Sequence, residues 1–277
     1  LYVPALILVL LGAFTKSAQV PFHFWLPHAM AAHTPVSAYL HSATMVKGGV
    51  YLLARLHPSF SGTELWFWAL LLFGGVTTVF ASVVAIRQTD LKQTLAYTTL
   101  MALGALTLFL APQGGYAITA MATFLVIHCL YKAALFLMIG CVEHATYTRD
   151  ARELGGLGRH MPVTALAAGL AGLSMAGLPP LLGFIGKELL YKGALESPVG
   201  ALFVAFILAA NALMFAAAGI VALKPFWGSG DRMPQRHQPI HEAPWQMLAG
   251  PAILGVLGLY FGLLPHGLEG AVVAPLV

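Results

Sequence analysis

Lys16, Lys47, Lys132 and Lys187 fall inside stretches that are otherwise apolar. An ammonium in hydrocarbon is expensive, so an ionisable residue within a membrane span is read first as part of a pathway for ions or protons. His128 and Lys132 stand four residues apart in FLVIHCLYKAALFLMIG, which puts them on one helix face. Lysine exchanges protons only where its surroundings disfavour the ammonium, as a dry site does, whereas histidine titrates near neutrality unaided. A Lys–His pair on one face can pass protons along a hydrated path. The alternative is a snorkelling lysine beside a core histidine. Lys132 lies many residues from either end of its apolar run, which makes snorkelling difficult.

Other candidates surround this pair. His41 lies in SAYLHSATMVKGG with the hydroxyls of Ser37, Ser42 and Thr44 close by in sequence, ready to bridge water; a core hydrogen-bonding role is equally open. Lys47 precedes Gly48 and Gly49, where a neighbouring helix could approach closely. It reads either as part of a pathway or as a structural cation paired with a carboxylate outside this chain. Lys92 follows Asp90 in RQTDLKQTLAYTT, and on spacing alone it is a solvated helix-end cation. Lys187 is followed by Glu188, but adjacent residues do not share a helix face. His23, His28 and His33 recur every five residues, share no helix face and have no carboxylate beside them, so no metal site is expected. Cys129 and Cys141 have neither metal-ligand spacing nor the look of a disulfide and read as small apolar fillers. With no nucleophile–base pattern and no glycine-rich phosphate loop, neither catalytic residues nor a cofactor site are expected. The available chemistry is proton transfer.

The elements that carry these residues follow from composition. Of 277 residues, 59% are hydrophobic and 9% charged, where a soluble domain carries roughly 25% charged residues. This implies an all-α polytopic membrane protein and leaves no room for a soluble domain. The net charge of +4 resides in loops between apolar runs, which points to a membrane face rather than to nucleic acid. A span needs about 20 mainly apolar residues, which predicts about eight: 2–19, 35–56, 65–86, 91–110, 116–142, 162–191, 200–223 and 245–264. A shorter piece, PFHFWLPHAM (21–30), continues the first. Pro21 should interrupt the first segment, and Gly177, Pro179, Pro180, Gly183 and Gly186 the sixth, because proline lacks a donor and clashes with the preceding turn. Lys16 and Lys187 then sit beside the two breaks. Secondary transporters place ion sites at such discontinuities; a plain kink is the alternative.

Arg87, Lys92, Arg149, Arg152, Arg159, Lys224, Arg232 and Arg236 collect on one side, against Arg55 and Lys192 on the other. The richer side is expected to be cytoplasmic, with Leu1 and Val277 outside. The loop 224–243 is polar and proline-containing, and no helix is expected there. The sequence begins within an apolar run without Met, so the expectation is an internal fragment of a longer protein, with no signal peptide.

FTKSAQVPFHFWLPHAM, HTPVSAYLHSATMVKGG, RQTDLKQTLAYTT, HCLYKAALFLMIG and GLPPLLGFIGKELL resemble the proton-translocating antiporter-like family shared with respiratory complex I. HSATMVKGGVYLLAR, VEHATYTRDARELGGLGRHMP and HEAPWQMLAGP are more similar to its branch of large A-type subunits of Mrp-type multisubunit Na⁺/H⁺ antiporters. The resemblance implies two inverted five-helix repeats, each with a broken helix. Residues 1–64 would end the first repeat, 65–223 would form the second, 224–243 a cytoplasmic loop, and 244–277 an additional transmembrane helix with a truncated end. It implies proton-transfer roles for Lys16, His41, Lys92, His128, Lys132 and Lys187, and so raises Lys92 above the reading from spacing. Lys47 remains a further candidate. The family's glutamate partner of the first lysine lies upstream and is not in this chain. His28 stands where the family usually has Asn or Asp, and His33 where a proline is expected, which puts the local helix start in doubt.

The resemblance implies a multi-pass membrane protein of the cell inner membrane that exchanges a monovalent cation, Na⁺, for H⁺ together with other antiporter subunits. The competing reading is a proton-pumping membrane component of complex I or a membrane-bound hydrogenase. A non-transporting scaffold fits poorly with a Lys–His face and two broken helices.

Overall fold

The structure, a computed structural model, describes residues 2–229 and 240–266. Among these residues every regular element is helical. The chain opens with α1 (Tyr2–Lys16), and a short α2 (Trp25–His28) with one further 3-10 turn leads to α3 (Thr34–Ser42) and α4 (Gly48–Phe60). Then come α5 (Glu64–Ala85), α6 (Leu91–Leu108) and α7 (Gly115–Thr146), followed by α8 (Pro162–Ala176) and α9 (Leu182–Leu195). α10 (Gly200–Ala218) runs through a π turn into α11 (Lys224–Trp227), and α12 (Trp245–Leu263) follows.

Among the described residues, four stretches are each long and apolar enough to cross a membrane: Glu64–Ala85, Gly115–Thr146, Gly200–Trp227 and Trp245–Leu263. α1 and α8 are shorter apolar helices. The helix after Gly200 extends to Trp227, beyond the expected end at 223. Arg232 and Arg236 lie outside the described residues, as do 267–277.

Two interruptions fall where the prolines and glycines point. α1 stops at Lys16, Ala18 takes a positive φ of 52°, and the Val20–Pro21 bond is cis. α8 stops at Ala176, where Gly177 adopts φ 79°. The N–H of Leu178 bonds the carbonyl of Leu173 at 3.1 Å, closing the helix end as a left-handed cap does. Pro179–Pro180 is also cis. A third interruption was not expected: segment 35–56 is not one continuous helix but two, α3 and α4, separated at Ala43–Thr44 and one 3-10 turn at Met45–Lys47.

α6 and α7 form the centre. Nearly every α6 residue is buried, including Thr94, Thr98, Thr99 and Thr107. It meets α5 at Gly74 and Gly104, where a side chain on either glycine would run into the other helix's backbone. Small residues thus set a close crossing. α7 packs against α3, α6, α8, α9 and α12.

Candidate functional site

The site is organised by one stripe of α7. Leu125, Cys129, Lys132, Phe136, Gly140 and Glu143 follow one another at spacings of three and four, so they lie on one helix face. Each meets a partner from another element. At one end, Lys47 donates to the Leu125 carbonyl at 3.4 Å and to Cys129 Sγ at 2.7 Å. Lys132 Nζ donates to the Leu95 carbonyl of α6 at 2.8 Å and to the Thr98 hydroxyl. The Phe136 ring lies 4.9 Å from the His41 ring of α3. Gly140 leaves room for Thr34. At the other end, Glu143 Oε2 pairs with Lys92 Nζ at 2.9 Å and accepts the Thr34 hydroxyl at 2.9 Å.

His128 borders this stripe, fully buried between the rings of Phe124 and Tyr131 at 6.2 and 5.4 Å. Its two ring nitrogens, like those of His41, have no protein hydrogen-bond partner among the described residues. Among the described residues no carboxylate contacts Lys47 or Lys132. The groups that meet them are carbonyls, a hydroxyl and a thiol.

The breaks also hold lysines. Lys47 donates to the carbonyl of Ser42, the last residue of α3. Lys187 donates at 2.6 Å to the carbonyl of Ala176, the last residue of α8, with its stem laid over Gly177. The last carbonyls of a helix lack intrahelical donors and carry the negative end of its dipole, so a cation there is favourable. Lys16 is placed differently. It ends α1 beside Gly48 but is exposed, away from the α7 stripe. His28 Nδ1 lies 2.6 Å from the Phe24 carbonyl, and His23 packs edge-on against Phe80.

Two expectations need correction. Lys92 is not solvated: its side chain is 3% exposed, and its charge is met by Glu143, with the Ala32 carbonyl at 3.5 Å. Cys129 is not an inert filler, because its sulfur receives Lys47. Glu143 itself was missed. The signal was available, since it is the single acidic residue of the α7 sequence and falls three turns after Lys132 on the same face.

Glu143 also lines a cavity of about 490 Å³ with Lys92, Thr34, Arg149 and Gln246. Arg149 reaches Glu143 Oε1 at 3.7 Å and pairs more closely with Asp90. Asp90 in turn caps α6, accepting from the N–H groups of Lys92 at 2.8 Å and Gln93 at 3.1 Å. The geometry is a row of titratable groups inside an apolar bundle, with the Glu143 end lining a cavity.

Residues 2–213 match the family described as NADH:quinone oxidoreductase/Mrp antiporter, transmembrane. The chain belongs to this family. The Na⁺/H⁺ antiporter A-type subunit of Alkalihalophilus pseudofirmus is 43% identical over 299 residues, covering 99% of this chain and 37% of that protein. A probable K⁺/H⁺ antiporter A/B-type subunit of Rhizobium meliloti is 53% identical over 197 residues, 71% of this chain and 20% of that protein. Among solved structures, the Mrp complex from Dietzia sp. superposes with a TM-score of 0.87 at 39% identity, over 98% of this chain and 29% of that one. Respiratory complex I from Thermus thermophilus gives 0.75 at 26% identity, over 95% and 57%. The chain thus spans only 37% of the length of the Alkalihalophilus relative.

Proposed function

We propose that this chain is the proton-conducting part of the large A-type subunit of a multisubunit monovalent cation/H⁺ antiporter in the bacterial plasma membrane. The α7 stripe carries the proposal. It lines up Lys47, Lys132, His41 and the Lys92–Glu143 pair along one helix, with His128 at its edge. In this reading protons move between these groups through small rearrangements and intervening water. Lys187 and Lys16, at the two proline-containing breaks, are further proton-transfer residues that join this row to the rest of the route. The interrupted helices count as spans, giving eight crossings: the end of one repeat in 1–64, a second repeat in 65–223 and a further helix beyond. The exposed face of Lys16 is then covered by the remainder of the longer protein, and other subunits complete the complex. Na⁺ is the proposed partner ion, in keeping with the name of the Alkalihalophilus relative.

Lys132→Ala in the complete antiporter tests this. The complex should assemble, and cation-dependent proton exchange in vesicles should be abolished. Normal exchange driven by a pH gradient would sink the proposal. The redox-driven pump remains the second reading, favoured by the likeness to complex I over 95% of the chain. Affinity purification of the native complex separates the two: redox-cofactor absorbance in stoichiometric amount would favour the pump.

A further inference from the structure

Glu143 is the one carboxylate on the α7 stripe, and it stands between two environments. One is the cavity that it lines with Arg149 and Gln246; the other is Lys92, which is almost wholly buried. We propose that Glu143 is the proton-loading residue of this chain, exchanging protons between the cavity and the buried row by making and releasing its pair with Lys92. The proposal rests on the proton-conducting reading above.

The sequence of steps balances. A proton from the cavity adds to Glu143 Oε2 and converts the carboxylate to a neutral acid. The Lys92 ammonium then loses its counter-charge while still buried, with only the Ala32 carbonyl at 3.5 Å left to it. An unpaired buried cation is strongly destabilised, so Lys92 passes its proton inward along α6, through intervening water, to the Lys132 amine, which is neutral at this step and bonds the Thr98 hydroxyl. The carboxylic acid next gives its proton to the neutral Lys92 amine, which restores the ion pair. One proton enters the row per cycle, and no other atom is gained or lost.

The surroundings suit this role. The groups that face Glu143 are Lys92 from α6, Thr34 with His33 from the start of α3, Arg149 from the loop after α7, and Gln246 from α12, while Asp90, Tyr147 and Asp150 line a second cavity with it. Arg149 is drawn off by Asp90, so Lys92 is the closer cation to Glu143. Thr34 ties the same carboxylate oxygen to α3, which carries His41 and whose last carbonyl holds Lys47. Opening the pair at Glu143 therefore frees one end of an element that touches the rest of the row.

The test uses the complete antiporter in vesicles and four variants. Glu143→Gln keeps an acceptor for Thr34 and Lys92 but cannot take up a proton at this site. It should assemble and lose exchange on the order of 100-fold, the scale of a missing general acid–base group. Glu143→Asp should retain exchange with a displaced pH profile. The double swap Lys92→Glu with Glu143→Lys keeps an ion pair and should stay inactive; recovery there would show a purely structural pair and overturn the proposal. Lys132→Ala separates the two levels. If it abolishes exchange while Glu143→Gln leaves it normal, the loading role is wrong and the conducting reading stands. If neither variant changes exchange, the conducting reading itself fails. Should the glutamine variant not assemble, wild-type complex treated with a hydrophobic carbodiimide, which attacks protonated carboxyls, supplies the measurement. An adduct at Glu143 that grows as pH falls, together with loss of flux, supports the proposal, and flux lost without modification of Glu143 overturns it.

Discussion

An ammonium persists in an apolar bundle only where carbonyls, hydroxyls or carboxylates meet its protons. Lys47 and Lys187 use the carbonyl that ends a helix, Lys132 uses the side of the intact α6, and Lys92 has a carboxylate. Asp90 holds the last arrangement in place. It caps α6 and engages Arg149 with its other oxygen. Asp90→Asn should preserve the cap and lose only the charge, whereas Asp90→Ala loses both. A helix cap contributes about 1 kcal/mol. Asp90→Ala should therefore lower the unfolding temperature of the purified complex more than Asp90→Asn. Both should reduce exchange, because a released Arg149 competes with Lys92 for Glu143. Equal stability of the two variants, with unchanged exchange, would contradict this. At this scale the sequence was informative only within one helix. His128 and Lys132 are four apart on α7, so periodicity shows them on one face. Lys92 with Glu143, and Lys47 with Cys129, meet across helices, and spacing within either segment carries no trace of those contacts.

Elements show the same division. The breaks after Lys16 and Ala176 were legible because Pro21 and the run Gly177-Leu-Pro-Pro forbid a continuous helix. The break between α3 and α4 was not legible, because Ala43 and Thr44 are ordinary residues. It is held instead by tertiary partners: Lys47 on the Ser42 carbonyl, and Ser17, whose hydroxyl donates to the Val46 carbonyl at 2.7 Å and accepts from the Val50 N–H at 2.9 Å. The break at α8 depends on close backbone contact. Gly183 lies so near the Ser174 carbonyl that any side chain would collide with it, and the Gly183 N–H bonds the Ser174 hydroxyl at 3.2 Å. Gly183→Ala should push α9 away from the last turn of α8 and pull Lys187 from Ala176. Overpacking of this kind costs roughly 1–3 kcal/mol. Less assembled complex and weaker exchange are expected, while Gly219→Ala, with nothing within 4 Å of the added carbon, should be near neutral. Matching yields from the two variants would show that the close approach is dispensable.

At the scale of the whole molecule, the basic loops gather at one end. Leu91 N–H bonds the Arg149 carbonyl at 2.9 Å and Ala151 N–H the Thr89 carbonyl at 2.8 Å, joining the loop before α6 to the loop after α7. Gly156 N–H bonds the Gly228 carbonyl at 2.9 Å, which brings in the end of α11. Glu242 receives the Val163 N–H at 2.9 Å, so the segment before α12 caps α8 at that same end. Arg87, Arg149, Arg152, Arg159 and Lys224 all belong to these segments. Lys92 does not count among the loop charges, because it is buried and paired. At the opposite end His57 lies 2.9 Å from the Pro112 carbonyl, and Lys192 is neutralised by Glu188 at 2.8 Å. An uneven distribution of this kind orients a bundle with its basic end in the cytoplasm. The cavity at Glu143 lies at this basic end, so under the proposed loading role and this orientation its protons would come from the cytoplasmic side. A cysteine replacing the exposed Arg152 should react with an impermeant maleimide in inside-out vesicles and stay unlabelled in intact cells, with the unsubstituted chain as the control for Cys129 and Cys141. Labelling from outside intact cells would reverse the orientation, and with it the side from which Glu143 draws its protons.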